Sequence, residues 1–372
     1  MKKSGSIVLS EIRTYLKEYF SREETEKLYA MLEEAKNVKS DPYDIGSDNE
    51  EQINSEVRNG SSLRNQIDNL LTYAESRIST ESYVKLCLSL TQLMIYSAEY
   101  DVAEDSIENL SHIELNLYPV LNAETLLLRA KIFWNQGEWK SSSSYCKKAY
   151  VVYSELENVI GMSKCENLLS NIAGEKGDIA KAKTHLNKAF EYIRYENVPE
   201  LKAMITNNLG IIADMEGNLS EAKFQYNSAL RYYDELDNAF QKARLNHNIG
   251  MLNSKQKQYK TAIEYFNESI NISLQKGYLS NCAISFISKA YAYSELGEQP
   301  LSDAFAEKAM EISYKINDRL TIAEVYRVKG IIQKNLQNAK LAKEFLENSI
   351  RLNRDFKNKA NVNEAVLEIA AI

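Results

Sequence analysis

The chain has 372 residues, 44% of them hydrophobic, with 52 acidic and 45 basic side chains and a formal net charge of −7. That apolar content is ample for a core, and the acidic balance argues against a general nucleic-acid binder, which would carry a basic footprint. Only 4 Pro and 13 Gly fit an all-helical chain.

In chain order, residues 7–38 predict two short helices, roughly Ile7–Phe20 and a second opening at Ser21. Glu24 stands three residues after Ser21, the spacing of a capping box. Leu28, Met31, Leu32 and Ala35 share one face of the second helix. Residues 7–35 carry seven acidic and four basic side chains. That is the wrong sign for a DNA-reading helix-turn-helix, so residues 1–38 read as a helical extension that docks or caps. Residues 39–61 combine Pro, Gly, Asn, Asp and Ser with little apolar content and predict a flexible linker. Residues 62–82 read as a half-repeat or cap helix.

From residue 83 the sequence repeats. Leu209–Leu230 reads as two helices joined by a turn at Gly217-Asn218. Leu209, Leu219, Phe224, Tyr226 and Leu230 are expected between the two helices. A shift of 40 residues returns the same small positions. The Gly210 column reads Ala130, Ser170, Gly210, Gly250, Ala290, Gly330. The turn column reads Gly137, Gly177, Gly217, Lys257, Gly297, Gln337. Two further small columns lie on the second helix: Ser142, Ala182, Ala222, Ala262, Ser302, Ala342, and Ala149, Ala189, Ala229, Ser269, Ala309, Ser349. A two-helix hairpin cannot bury its own apolar face, so such units stack. Small residues at the crossing let the helix axes approach closely.

These columns resemble the tetratricopeptide repeat family, through Leu209-Gly210, Gly217-Asn218-Leu219, Ala222, Tyr226 and Ala229 and their equivalents Ile249-Gly250, Tyr259, Ala262, Phe266 and Ser269. The family's usual period is 34 residues; here it is 40, and the closing proline is missing. The longer form resembles the repeats of bacterial peptide-sensing regulators, the Rap and PlcR group, and the sensor arrays of bacterial signalling proteins. The resemblance implies an all-α, right-handed superhelix. It would comprise about seven repeats over residues 83–358 and a capping, or truncated eighth-repeat, helix over 359–372.

In this family the first helices line a concave face. Carried onto this chain, an extended peptide or partner helix would lie across Asn167, Asn171, Asn207, Arg244, His247, Tyr291 and Arg327. Asn offers a peptide backbone both donor and acceptor, and Arg can grip a carboxylate bidentately. The alternative reading of the same residues is a plain solvated face. The implied function is a non-enzymatic protein- or peptide-binding adaptor or scaffold. The alternatives are a peptide-responsive regulator or the sensor part of a longer signalling protein.

Charge is unevenly spread. Residues 86–128 hold seven acidic side chains and no Lys or Arg, and residues 238–263 hold five basic ones and no Asp or Glu. Such separation could steer a charged partner or promote self-association, or simply mark solvated outer faces.

No metal, cofactor or catalytic constellation is expected. His112, His185 and His247 have no His or Cys at ligand spacing on the same helix, and no phosphate-binding or nucleophile motif occurs. His185 reads as packing. The cysteines Cys87, Cys146, Cys165 and Cys282 lie scattered in helical patterns and predict buried free thiols in a reducing compartment. With no signal-peptide pattern and no run of 18 apolar residues, the expected location is cytoplasmic, without membrane or nucleic-acid partners.

Overall fold

The computed structural model describes residues 4–34, 63–97, 99–236, 238–316, 318–355 and 359–372. The linker expected at 39–61 lies outside them. All regular structure among the described residues is helical, and the chain divides into two compact units, Met1–Asn135 and Gln136–Ile372.

Unit 1 contains α1 (Ser4–Tyr19), α2 (Arg22–Glu34), α3 (63–75), α4 (Thr80–Tyr96), α5 (Tyr100–Glu108), a single 3₁₀ turn at Leu115–Leu117 and α6 (Pro119–Asn135). The capping box opens α2 as expected. The Ser21 N–H donates to Glu24 Oε2 at 3.2 Å, and the Glu24 N–H donates back to Ser21 Oγ at 3.3 Å. One apolar cluster joins α1 to α4, with Ile12, Leu16, Leu71, Val84, Cys87 and Met94 among its buried members. Polar bonds cross-brace the helices: Arg129 to Glu108 at 2.7 Å, Lys131 to Gln92 at 2.8 Å, and buried Gln66 to the Leu32 carbonyl at 2.7 Å.

Unit 2 is a solenoid. It opens with α7 (Trp139–Glu155). Five hairpins follow: α8 (Val159–Glu175) with α9 (Ile179–Tyr192), α10 (Pro199–Met215) with α11 (Leu219–Asp234), α12 (Ala239–Lys255) with α13 (Tyr259–Lys276), α14 (Leu279–Glu295) with α15 (Gln299–Lys315), and α16 (Arg319–Asn335) with α17 (Ala339–Asp355). The last helix is α18 (Lys359–Ala370). Five of these starts are capped by a side chain. Asn158, Asp178, Asn218, Asn238 and Asp318 accept side-chain hydrogen bonds from the N–H three residues on, which satisfies a donor the helix leaves orphaned.

The crossing columns are the seats of the hairpins. A Cβ built on Gly210 would lie 2.6 Å from the Tyr226 ring, one on Gly250 2.5 Å from Phe266, and one on Gly330 2.6 Å from Leu346. In each pair the bulky residue follows the glycine by sixteen positions. Where the bulky partner is itself small, as at Ala306, the first helix carries Ala290, and both are buried. All residues of the two second-helix columns are fully buried. A further close approach occurs within unit 2 between consecutive repeats, where a Cβ on Gly161 would lie 2.2 Å from Tyr153. Phe224 corrects an expectation. It is 59% exposed and belongs to the outer surface, not between the helices.

The turn column has one backbone state. Gly137, Gly177, Gly217 and Gly297 have φ between 77° and 80°, and Lys257 and Gln337 both have φ of 60°. This left-handed conformation ends the first helix and reverses the chain; glycine adopts it without the Cβ penalty that lysine and glutamine carry.

In unit 2, successive first helices (α8, α10, α12, α14, α16) pack against one another, more extensively than successive second helices do. Unequal spacing of this kind curves the stack toward its first-helix side. The first helices therefore line the inner face of unit 2. The four cysteines are free and buried.

Candidate binding surface

The inner stripe of unit 2 is built from four positions per first helix, six and three before the Gly210 column and one and four after it. These positions recur every three or four residues, so they form one row along each helix. Their depth is uneven. Residues three before the column lie deepest: Asn167, Asn207 and Ile287 are buried between neighbouring hairpins. The flanking Met204, Arg244, Ile284, Asn171, Ile211, Met251 and Tyr291 are half-buried and form the accessible surface.

Asparagines dominate one end. Asn208 Nδ2 donates to Asn167 Oδ1 at 2.9 Å and lies 3.1 Å from Asn171 Oδ1, which ties α10 to α8. Asn248 Nδ2 donates to Asn207 Oδ1 at 3.0 Å, which ties α12 to α10. Asn207 Nδ2 reaches Asn208 Oδ1 at 3.5 Å, so the two bridges meet. Five amides from three repeats therefore form one connected row. Asn208 and Asn248 are absent from the sequence-derived set. Each directly follows a position in that set, and each bridges backward to the previous repeat. The signal available was the asparagine pair Asn207-Asn208 together with the recurrence of polar residues 41 positions on.

His247 continues the row toward α14. Its Nδ1 lies 3.2 Å from Ser285 Oγ, and its ring lies 5.7 Å from that of Phe266. Burial, aided by the nearby Arg244 charge, pushes the His247 pKa down to about 4. The imidazole is thus neutral at pH 7 and offers one donor and one acceptor. Arg244 stands beside it, with its guanidinium 5.9 Å from the Phe240 ring centre. On α14, half-buried Tyr291 has its pKa raised by burial and by Glu295.

Arg327 differs from the others. Its Nε and Nη2 donate to Glu324 at 2.9 and 2.6 Å, and Nη1 lies 3.6 Å from Glu364 on α18. Burial opposes the charge, but Glu324 and Glu364 outweigh it and hold the guanidinium above its usual range. Lys334 pairs with Glu368 on the same helix. The cations of α16 therefore hold α18, and a ligand carboxylate would compete with Glu324 and Glu364 for Arg327.

Of the seven sequence-derived residues, the structure brings Asn167, Asn171 and Asn207 into one network and places Arg244 and His247 next to it on α12. Tyr291 and Arg327 lie further along, on α14 and α16. His185, read from sequence as packing, pairs with buried Glu166 across α8 and α9. Among the described residues no group of three or more His, Cys, Asp or Glu could hold a metal, and no helix is long and apolar enough to cross a membrane.

Comparison with known families matches residues 243–276 and 323–356 to the tetratricopeptide repeat. The chain carries tetratricopeptide repeats. No curated protein matches the sequence. Among solved structures, a Rap protein complexed with competence and sporulation factor is 12% identical, with a TM-score of 0.59 over 93% of this chain and 97% of that one. NprR in complex with its cognate peptide NprX is 20% identical, with a TM-score of 0.57 over 80% and 87%. Aspartyl phosphate phosphatase F from Bacillus subtilis is 15% identical, with a TM-score of 0.51 over 90% and 96%. At these identities the likeness is one of fold.

Proposed function

We propose that this tetratricopeptide repeat protein is a non-enzymatic adaptor that binds a peptide segment or protein partner along the inner stripe of unit 2. The observation that carries this reading is the asparagine row from Asn167 to Asn248. An extended peptide exposes one donor and one acceptor per residue, and a row of carboxamides presents both in alternation. Met204, Ile211, Met251 and Tyr291 add adaptable apolar contact beside it. Arg244 supplies charge within reach of the row. Two solved neighbours of the same fold carry bound peptides or factors by their descriptions, which supports the reading.

The test is selection of binding peptides from a random library on the intact protein, followed by titration against the variant Asn207→Ala with Arg244→Ala. A loss of at least tenfold in affinity, with the circular dichroism unchanged, is expected. Unchanged affinity in the folded variant would refute the placement.

A second reading, a peptide-responsive regulator, draws on one feature of the row. Its amides bridge successive repeats, so a peptide that takes these hydrogen bonds exchanges repeat-to-repeat contacts for ligand contacts. The spacing of α8, α10 and α12 would then change with occupancy. Small-angle scattering with and without a selected peptide separates the two: an unchanged radius favours the adaptor, a changed one the switch.

A further inference from the structure

A cavity of about 160 Å³ opens on unit 2 between α11, α12 and α13. Its walls include Ile249 and Tyr265, and its rim carries Asn227, Asn253, Gln256 and Lys223. Ile249 and Asn253 lie on a different stripe of α12 from Arg244, His247 and Met251, so this is not the inner surface. In size it compares with an engineered cavity of about 150 Å³ that binds benzene.

The neighbouring repeats show what belongs there. Forty residues on, Ile249 becomes Lys289 and Tyr265 becomes Phe305. Lys289 is buried, and its Nζ lies 3.8 Å from the centre of the Phe305 ring, which is near-parallel to both Phe286 and Tyr293. Lys289 has no carboxylate partner among the described residues. Forty residues further, the pair is Lys329 and Phe345. Lys329 Nζ lies 5.1 Å from that ring centre and 2.5 Å from Glu307. Two successive repeats thus run a lysine stem along the hairpin and set its ammonium over the second helix's ring, where the quadrupole attracts it. The repeat at α12–α13 keeps the ring but replaces the lysine by the shorter, branched Ile249, and a cavity stands in that repeat.

The polar rim follows the same correspondence. Glu307, which pairs with Lys329, is replaced by Asn227, and Tyr293 by Asn253. Asn253 Nδ2 donates to the Ile249 carbonyl at 2.8 Å, so its Oδ1 is the part of the amide left to accept. Gln256 adds another carboxamide to the rim. These are neutral acceptors, suited to an ammonium that arrives from outside with its own charge. Lys223 is exposed at the rim and opposes a cation; its counterpart in the Lys329 repeat is Asp303.

We propose that this cavity receives a lysine side chain of a bound partner, its alkyl stem against Ile249 and its ammonium over Tyr265 and bonded to the carboxamide oxygens of Asn227 and Asn253. The occupant is the group that Lys289 and Lys329 supply internally in the next two repeats.

The test uses Nα-acetyl-lysine N-methylamide as the probe, followed by the amide and methyl NMR signals of the full chain. Saturable shifts at Ile249 and Tyr265 with a Kd on the order of millimolar are expected for so small a ligand. The Nε-acetylated probe, which keeps the stem and lacks the charge, should bind at least tenfold more weakly. Ile249→Lys should remain folded, because the next repeat carries lysine at that position, and should lose the probe by at least tenfold. Lys223→Asp, at an exposed position, should bind it severalfold more tightly. Equal affinity for the neutral probe, undiminished binding by Ile249→Lys, or no saturable shift in the Lys223→Asp variant would each overturn the proposal. Binding of 1,5-diaminopentane tenfold tighter than the lysine probe would overturn the assignment to a partner's side chain, in favour of a free diamine.

Discussion

Gly210→Ala isolates the contact on which the hairpin geometry depends. The added methyl carbon would stand 2.6 Å from Cδ1 and Cε1 of Tyr226, against 3.4 Å or more for ordinary contact, so the ring or the helix must retreat by about 0.8 Å. Tyr226 is buried in the cluster of Ala222, Ala229 and Leu245, and it also lines the cavity between α11, α12 and α13, so a retreat of its ring is at the expense of that packing and toward that space. Overpacking of this kind costs about 1–3 kcal/mol. The same substitution also gains helix propensity, about 0.5–1 kcal/mol, which obscures the result in a single variant. Gly174→Ala removes that ambiguity. Gly174 is also helical, but a Cβ there meets nothing within 4 Å. Its place near the end of α8 puts its propensity gain at the low end. Gly174→Ala should therefore be neutral or slightly stabilised, and Gly210→Ala should fall about 1–3 kcal/mol below it. Urea unfolding followed by far-ultraviolet circular dichroism measures both, with the slope as a check on two-state behaviour. In a Tyr226→Ala background, which mimics the native Ala290–Ala306 seat, Gly210→Ala should lose its penalty. If Gly210→Ala is as stable as Gly174→Ala in the native background, the close crossing does not limit the hairpin and the reasoning fails.

Lys257→Gly and Gln337→Gly should each stabilise the protein by about 0.5–1 kcal/mol. They relieve a left-handed backbone at φ 60° that costs a side-chain-bearing residue about 1–2 kcal/mol, less the glycine's own entropy; urea midpoints check this. His247 has a folded pKa of about 4 against an ordinary value near 6.5. Its neutral form is the folded one, so its stabilisation is full above about pH 6.5 and is lost as pH falls toward 4, by at most about 3 kcal/mol. His247→Gln should flatten that part of the stability–pH curve relative to the native chain. Asn208→Ala leaves the acceptor of buried Asn167 without its donor and should cost about 1–3 kcal/mol. Amide hydrogen exchange should show the loss centred on α8 and α10.

The fold was legible because its rules are local in register. Glycine at 210, 250 and 330 marks a seat, and a bulky side chain sixteen residues later fills it. The turn column marks the reversal even where Lys257 and Gln337 replace glycine, because their neighbours hold the backbone in the same state. Phe224 was misplaced for a related reason. It shares its helix with the buried Ala222 and Tyr226, and hydrophobicity alone does not tell an inward position from one a single residue off the stripe. The Gly161 seat is not legible in the same way, because its partner, Tyr153, belongs to the preceding repeat, and size complementarity between repeats varies from pair to pair.

The inner surface was legible only as a set of columns. Spacing shows Glu324 beside Arg327, three residues apart on α16, but position could not show that Glu364 on α18 engages it too, since that pairing depends on how a later helix closes against α16. Nor could it show that the amides of Asn207 and Asn208 point to opposite neighbours, one toward α12 and one toward α8. That divergence has a functional consequence. A residue bonded only within its own helix can turn toward a ligand without disturbing the stack, whereas Asn208 must release Asn167 or Asn171 first. Each ligand hydrogen bond then replaces an inter-repeat one, so the net gain per bond is small, near the lower end of about 0.5–1.5 kcal/mol. Affinity must therefore come mainly from the flanking Met204, Ile211, Met251 and Tyr291, with the asparagines setting the register of the bound chain. It follows that Met204→Ala with Met251→Ala should weaken a selected peptide more than Asn171→Ala does, while Asn171→Ala should broaden the range of sequences selected. The reverse order would make the amide row the source of affinity and not of register.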